Sequence, residues 1–325
     1  MNMKKLPVFV LLAVAAVLPL FVKSEYFMHI CVLAMMYIML TQGLNLLTGY
    51  IGQLSLGHQT FLGLGGYASA LLAIKLGVPV LLAMLLAGLF TVVCSFLIGL
   101  VTFRMRGSYF VIMTTAFAEI VRLVINNSTA VTNGPMGLRE IPPPVIFGLI
   151  IKSKISSYYF GLVLAVITVF ICYRIVDSRT GRAFVALREH EALANSVGIS
   201  FARYSMVAAV VGGFFAGIAG GFYAHYTHFI STDVITFSYT VTILLMLIIG
   251  GKGTIMGPVL GAIIFSFVPE ALRAVDNLRL PIYGLILMIS VLAMPKGLMP
   301  VLSRAYGRIV YKLAPGQKTP AAKGE

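Results

Sequence analysis

Apolar residues recur along the chain in runs of about 20, the length a helix needs to cross the hydrocarbon core of a bilayer. Reading these runs against their breakers predicts ten spans, at 6–22, 26–47, 49–74, 79–103, 108–126, 157–176, 204–224, 239–251, 254–269 and 280–299. The eighth and ninth are short and meet at the Gly-Gly-Lys-Gly sequence 250–253, which suits a helical hairpin with broken ends. Two segments between spans are long. Residues 127–156 contain "NGPMGLREIPPP", whose glycines and prolines predict a turn-rich cap. Residues 177–203 are polar, and 183–197 lack proline and glycine, so one helix is expected there, ending at Gly198 in a left-handed cap. The N-terminus, two lysines before an apolar run, has the outline of a secretory signal. It lacks a small-x-small cleavage site and is read as an uncleaved first span.

Composition agrees with a bilayer as the solvent. Of 325 residues, 59% are hydrophobic and 10% charged, against about 25% charged in soluble domains. The fold class expected is an all-α polytopic membrane protein of about ten transmembrane helices, spanning 1–303, with a basic tail at 304–325. The net charge of +14 is spread over loops rather than gathered on one face, which argues against nucleic acid as a partner. With the N-terminus inside, the ten spans place 16 Lys and Arg in inner segments and 7 in outer ones. That excess supports both termini being cytoplasmic.

Candidate chemistry is concentrated where charge is absent. Residues 26–74 contain no Asp, Glu, Lys or Arg, yet they hold Gln53, Ser55, His58, Gln59 and Thr60 among glycines 49, 52, 57, 63, 65 and 66. Each such glycine weakens a helix by about 1 kcal/mol relative to alanine. Backbone freed from helical bonding survives in lipid only when buried in protein or lining a wet cavity. Two readings follow: a broken or re-entrant helix with Gln53, Ser55, His58 and Gln59 lining a pathway, or a Gly-rich helix with Gln53 and His58 bonding between helices.

Two glycine ladders, Gly213–Gly217–Gly221 and Gly253–Gly257–Gly261, are spaced by four and are read as close helix packing within one subunit rather than a dimer seam. Glu119 and Arg122 share a helix face inside the fifth span, as a functional pair or a structural one. His225 and His228, near Asp233, are read as interfacial residues facing water rather than as metal ligands. Cys31, Cys94 and Cys172 show no paired spacing. A Walker A loop ending at Gly251-Lys252 would need glycine where Met246 stands. No catalytic constellation, metal site or cofactor motif is present in the sequence pattern.

The stretch "NLLTGYIGQLSLGHQTFLGLGGYASALL" at 45–72 resembles the hallmark of M-type permease subunits of bacterial branched-chain amino-acid ABC importers, the LivM family. The likeness continues through "RMRGSYFVIMTTAFAEIVR" (104–122), "TNGPMGL" (132–138), "GRAFVALREHEALANSVGI" (181–199), "GGKGTIMGPVLGA" (250–262) and "PKGLMPVL" (295–302). It implies a transport subunit without its own ATPase, in the bacterial inner membrane, folded in the style of the vitamin B12 importer permease. The implied partners are an H-type permease, two cytoplasmic ATPase subunits, an extracytoplasmic solute-binding protein and membrane lipid. Leu, Ile and Val are the substrates it favours, with urea, short amides or aromatic acids as alternatives carried by related permeases. Glu191-Ala192-Leu193 followed by Gly198 resembles the Glu-Ala-Ala…Gly element that docks on the ATPase, with Leu193 departing from the second alanine. Arg182, Arg188, Glu189 and Glu191 with Gly198 are therefore the expected coupling residues. An ion-gradient transporter is the competing class, and it would more naturally place a carboxylate in 26–74.

Overall fold

The computed structural model describes residues 15–19, 24–146, 149–267, 279–293 and 297–299. Most of the expected first span 6–22, the loop holding Arg273, Lys296 and the tail 304–325 lie outside the described residues. Of the first span, 15–19 is helical, with Tyr158 and Tyr159 donating hydroxyl hydrogen bonds to the Ala15 and Ala16 carbonyls at 2.7 and 3.0 Å.

Helix α1, Glu25–Leu44, runs on as a π-helix over Asn45–Ile51, and α2 is Gln59–Leu76. Then come α3 (Val80–Thr102), α4 (Ser108–Asn127) and α5 (Lys154–Val176). Two short helices follow, α6 (Arg179–Glu189) and α7 (Glu191–Ser196), and then α8 (Phe201–Thr227), α9 (Phe237–Gly250), α10 (Met256–Phe265) and α11 (Arg279–Ala293). Among the described residues five helices are long and apolar enough to cross a membrane: Glu25–Ile51, α3, α4, α5 and α8. Burial separates them. Over an 18-residue apolar stretch of each, 94% of residues are buried in Glu25–Ile51 and 67% in α8, against 33% in α3, 22% in α4 and 28% in α5. A helix apolar all round belongs in the centre, so α1 and α8 form the axis and α3, α4 and α5 its rim.

Small residues let the axis close. On one face of α8, a methyl group added at Gly213 would stand 2.9 Å from Ser95 Cβ, one at Gly217 would collide with Thr91, and one at Gly221 would stand 3.0 Å from Met84 Cγ. That face is filled by α3. The neighbouring stripe meets α1 and α2: a methyl at Gly212 would lie 2.6 Å from the Gly43 carbonyl oxygen, and one at Gly220 would strike the Leu62 carbonyl oxygen. The second ladder does not lie on one helix face. Gly253 precedes α10, in a turn with φ +74°, and only Gly257 and Gly261 are helical. These two admit α9, since methyl groups there would strike the Gly251 and Met246 carbonyl oxygens.

At one end of the bundle the described residues 128–146 and 149–153 form a cap of turns, one short helix (Thr129–Thr132) and two-residue strands. Strand β1 (Leu138–Arg139) pairs antiparallel with β4 (Phe229–Ile230), and β2 (Val145–Ile146) pairs with β3 (Leu149–Ile150). Of the two histidines beneath it, His228 is exposed to solvent as expected, whereas His225 is not. His225 is fully buried, its ring nitrogens meeting Ser69 Oγ at 2.9 Å and the Pro142 carbonyl at 2.7 Å, while His228 meets the Ile141 carbonyl at 2.8 Å. Carbonyls freed by the proline-rich cap need donors, and the imidazoles supply them. No three metal-ligating side chains come together among the described residues.

Candidate functional site

The polar glycine-rich stretch is an interruption between two helices. The sequence places the boundary between its second and third spans at 48, but the first helix continues to Ile51 and the break occupies 52–58. Gly49 does not break the helix. It is there for close approach, since a methyl group on it would lie 2.5 Å from the Gly253 backbone nitrogen. The break starts at Gly52, whose φ of +89° is a left-handed conformation that glycine adopts without penalty. A π-helical last turn widens the approach to it.

Side chains satisfy the freed backbone, as a low-dielectric setting requires. Thr48 Oγ1 donates to the Gln53 carbonyl (3.0 Å) and accepts from the Ser55 N–H (3.3 Å). Leu56 N–H donates to Thr114 Oγ1 of α4 (3.2 Å), and its carbonyl accepts from Thr240 Oγ1 of α9 (3.3 Å). Gly57 N–H reaches Ser55 Oγ at 3.4 Å, and a methyl on Gly57 would strike the Thr114 carbonyl.

The four expected pathway residues separate. Ser55, His58 and Gln59 are buried within the chain, and Gln53 is half-buried. His58 wedges between α1 and α8: a methyl at Gly43 would stand 2.9 Å from its Nε2, and one at Gly212 3.2 Å from its Cε1. Gln59 Nε2 points to the Ile235 carbonyl at 3.5 Å. These three face protein rather than a cavity, because the glycines around them draw α1, α2 and α8 together.

The foot of α1 is tied to the turn before α10 by two residues that the sequence reading passes over. Asn45 Oδ1 accepts from Gly253 N–H (2.9 Å) and its Nδ2 donates to the Thr254 carbonyl (2.8 Å), while Gln42 Nε2 donates to the Ile255 carbonyl (2.5 Å). Both side chains are fully buried. An amide inside a charge-free apolar run was the available signal.

Segment 177–203 packs on this same foot. Phe184 and Leu187 of α6 join Leu47, Tyr50 and Phe201 in one buried cluster. The single expected helix over 183–197 is two helices, bent at His190 with φ −152° and ψ 89°. No helix breaker stands there. Ala194, past the bend, joins Phe184, Leu187 and Phe201 in the same buried cluster, so tertiary packing accompanies a turn that helix propensity alone does not predict. At its end, Gly198 N–H bonds the Asn195 carbonyl (3.1 Å) and Ile199 N–H the Ala194 carbonyl (2.9 Å), with Gly198 at φ +86°. This is a Schellman cap.

Of the five coupling residues, Arg182, Arg188, Glu189 and Gly198 are exposed and Glu191 is half-buried, yet Arg188 and Glu191 also bond back to the rest of the chain. Arg188 Nη1 donates to the Gly49 carbonyl at 3.1 Å, and its Nε and Nη2 meet Glu189 Oε1 at 3.2 and 2.8 Å. Glu191 pairs with Arg106 in the turn between α3 and α4, at 2.6 Å. On α4 itself, Arg122 bonds Glu119 three residues away, Nε to Oε2 at 2.9 Å, with 54% of the Glu119 side chain and 29% of that of Arg122 exposed.

A bundle of lipid-length apolar helices, interrupted at its axis by a polar break held inside protein, is the architecture of a polytopic membrane protein. A family model described as the permease component of branched-chain amino acid transport systems matches residues 26–293. The chain is 32% identical over 345 residues to the high-affinity branched-chain amino acid transport system permease protein LivM of Salmonella typhimurium, covering 99% of this chain and 79% of that protein. The LivM of Escherichia coli gives the same identity and coverage. A probable LivM from Methanocaldococcus jannaschii is 26% identical over 196 residues, 58% of this chain and 54% of that one. The chain therefore belongs to the family of branched-chain amino acid transport system permeases, whose members are transport subunits and not enzymes. No solved structure matches it.

Proposed function

We propose that the chain is one of two membrane subunits of an ATP-driven importer for Leu, Ile and Val. It sits in the bacterial inner membrane as about ten spans in the B12-importer style, with both termini cytoplasmic. It pairs with an H-type permease, two cytoplasmic ATPase subunits and an extracytoplasmic solute-binding protein. The observation that carries this reading is on α7. Leu193 in α7 and Val197 at its C-cap, four residues apart, are 66% and 71% exposed, immediately before the left-handed residue Gly198. A paired apolar surface on a helix outside the lipid-length spans calls for a protein cover, and Arg182 and Glu189 supply a charged border. An ATPase groove is the cover that the coupling role demands. Arg188 and Glu191, being engaged inward, are assigned to the chain's own mechanics rather than to docking.

The translocation pathway is assigned to the uncovered face of α4. An exposed carboxylate–guanidinium pair is costly against lipid, so the face bearing Glu119 and Arg122 turns toward water between this chain and its partner permease. Gln53, at the open side of the break, borders the same route in this reading.

The docking surface has a direct test. Leu193→Asp with Val197→Asp is expected to weaken capture of the purified ATPase subunit at least about ten-fold, the loss of one interface hot spot. Capture equal to wild type would place the docking surface elsewhere.

A further inference from the structure

We propose that Arg106 and Arg188 are positioning residues that carry movement of segment 177–203 to the 52–58 break, so that the break is the element the ATPase moves. This inference rests on the importer reading above. It begins from two charged side-chain ties between α6–α7 and the rest of the bundle, Arg188 on the Gly49 carbonyl and Arg106 on Glu191, beside the neutral bond from Phe201 N–H to Asn195 Oδ1.

The first tie runs from α6 to the start of the break. Arg188 Nη1 holds the Gly49 carbonyl at 3.1 Å, and its stem lies on Gly52, where a methyl would stand 3.0 Å from Arg188 Cγ. A methyl on Gly253 would stand 2.6 Å from Nη1, so the guanidinium fills a cradle of three glycines. Because Gly52 is the left-handed residue at which α1 ends, a shift of α6 acts on the hinge of the break itself.

The second tie reaches the other end of the break by a longer route. Arg106 Nη1 stands 2.6 Å from Glu191 Oε1, off the direction of an aligned hydrogen bond, and the Arg106 guanidinium lies over the Phe201 ring at 5.1 Å. The turn bearing Arg106 is fixed to α4 by Phe103 stacked on Phe110, centroids 5.6 Å apart. One turn further along α4, Thr114 holds Leu56 N–H and confines Gly57. The break is thus gripped at Gly52 through α6 and at Leu56–Gly57 through α7 and α4. The bend at His190 lets the two grips move separately.

Arg106 is largely exposed, at 58%, and such surface pairs contribute little to folding. Their value here is directional. The test is a charge swap in the full complex reconstituted in proteoliposomes, read as substrate molecules taken up per ATP hydrolysed. Arg106→Glu and Glu191→Arg singly are expected to lower that ratio at least about five-fold, the lower bound of a typical coupling energy between sites. The double variant Arg106→Glu/Glu191→Arg is expected to recover most of it. Arg188→Met should lower the ratio comparably. Capture of the ATPase subunit is measured on the same variants and on wild type: capture lost only in the variants would place these residues in the docking surface and overturn the positioning role, whereas a wild-type chain that captures no ATPase subunit would count against the importer reading. With capture intact, a wild-type ratio in the single variants, or a double variant no better than either single one, overturns the proposal.

Discussion

Gly220→Leu is expected to abolish the folded protein. The backbones of α8 and α2 touch at this point: even one added carbon would strike the Leu62 carbonyl oxygen and lie 2.8 Å from the Gly66 nitrogen. Neither neighbour is a movable side-chain tip. Overpacking a core that can shift costs about 1–3 kcal/mol. Here the axis helices are also pinned by Gly212 against Gly43 and by His58 between them, so relief by translation would break those contacts as well. The measurement is the yield of monodisperse protein in detergent, with Gly284→Ala as the comparison. An added carbon at Gly284 meets nothing within 4 Å, and that variant should behave as wild type. Wild-type yield and melting from Gly220→Leu would mean that α2 and α8 stand further apart than described.

The second large effect is expected from Asn45→Leu, which keeps the volume and removes the amide. Gly253 N–H and the Thr254 carbonyl would then lose their partners. A buried polar group left unmatched costs about 1–3 kcal/mol, so two give about 2–6 kcal/mol, with no water at hand to substitute inside the bundle. The loss should appear as a lower thermal midpoint of the detergent-solubilised protein. Gly49→Ala should do similar harm by a different route, since its methyl would displace the Asn45 side chain. A midpoint unchanged in Asn45→Leu would remove the tie between α1 and the turn before α10 from the account.

These two sites also mark how far the sequence could be read. Residues 213, 217 and 221 share a helix face by spacing alone, and the ion pair at 119 and 122 needs only one turn of helix; both are local and both were legible. The left-handed residue at 198 was legible because glycine after a helical run has few other uses. The tie at Asn45 was not, because its partners lie more than 200 positions away (the Gly253 bond spans 208 residues). The start of the break was misplaced for a related reason. Gly49 and Gly52 look alike in sequence, but one admits a neighbouring backbone and the other adopts positive φ. The same limit hid the bend at His190 and turned Glu191 from an outward contact into a partner of Arg106. Polar side chains in a charge-free run marked where the helix breaks, but Ser55, His58 and Gln59 face the interior of the chain. Only packing decides which way a side chain in a broken helix points.

On the importer proposal, this chain passes its substrate only when ATP is hydrolysed on separate subunits seated on α7. It is tested most directly by uptake of radiolabelled leucine into proteoliposomes holding this chain, its partner permease and the ATPase subunits, with the solute-binding protein outside. The account predicts uptake that requires ATP on the ATPase side and stops when the ATPase subunits are left out. Leucine uptake driven by a proton or sodium gradient in liposomes without any ATPase subunit would contradict it.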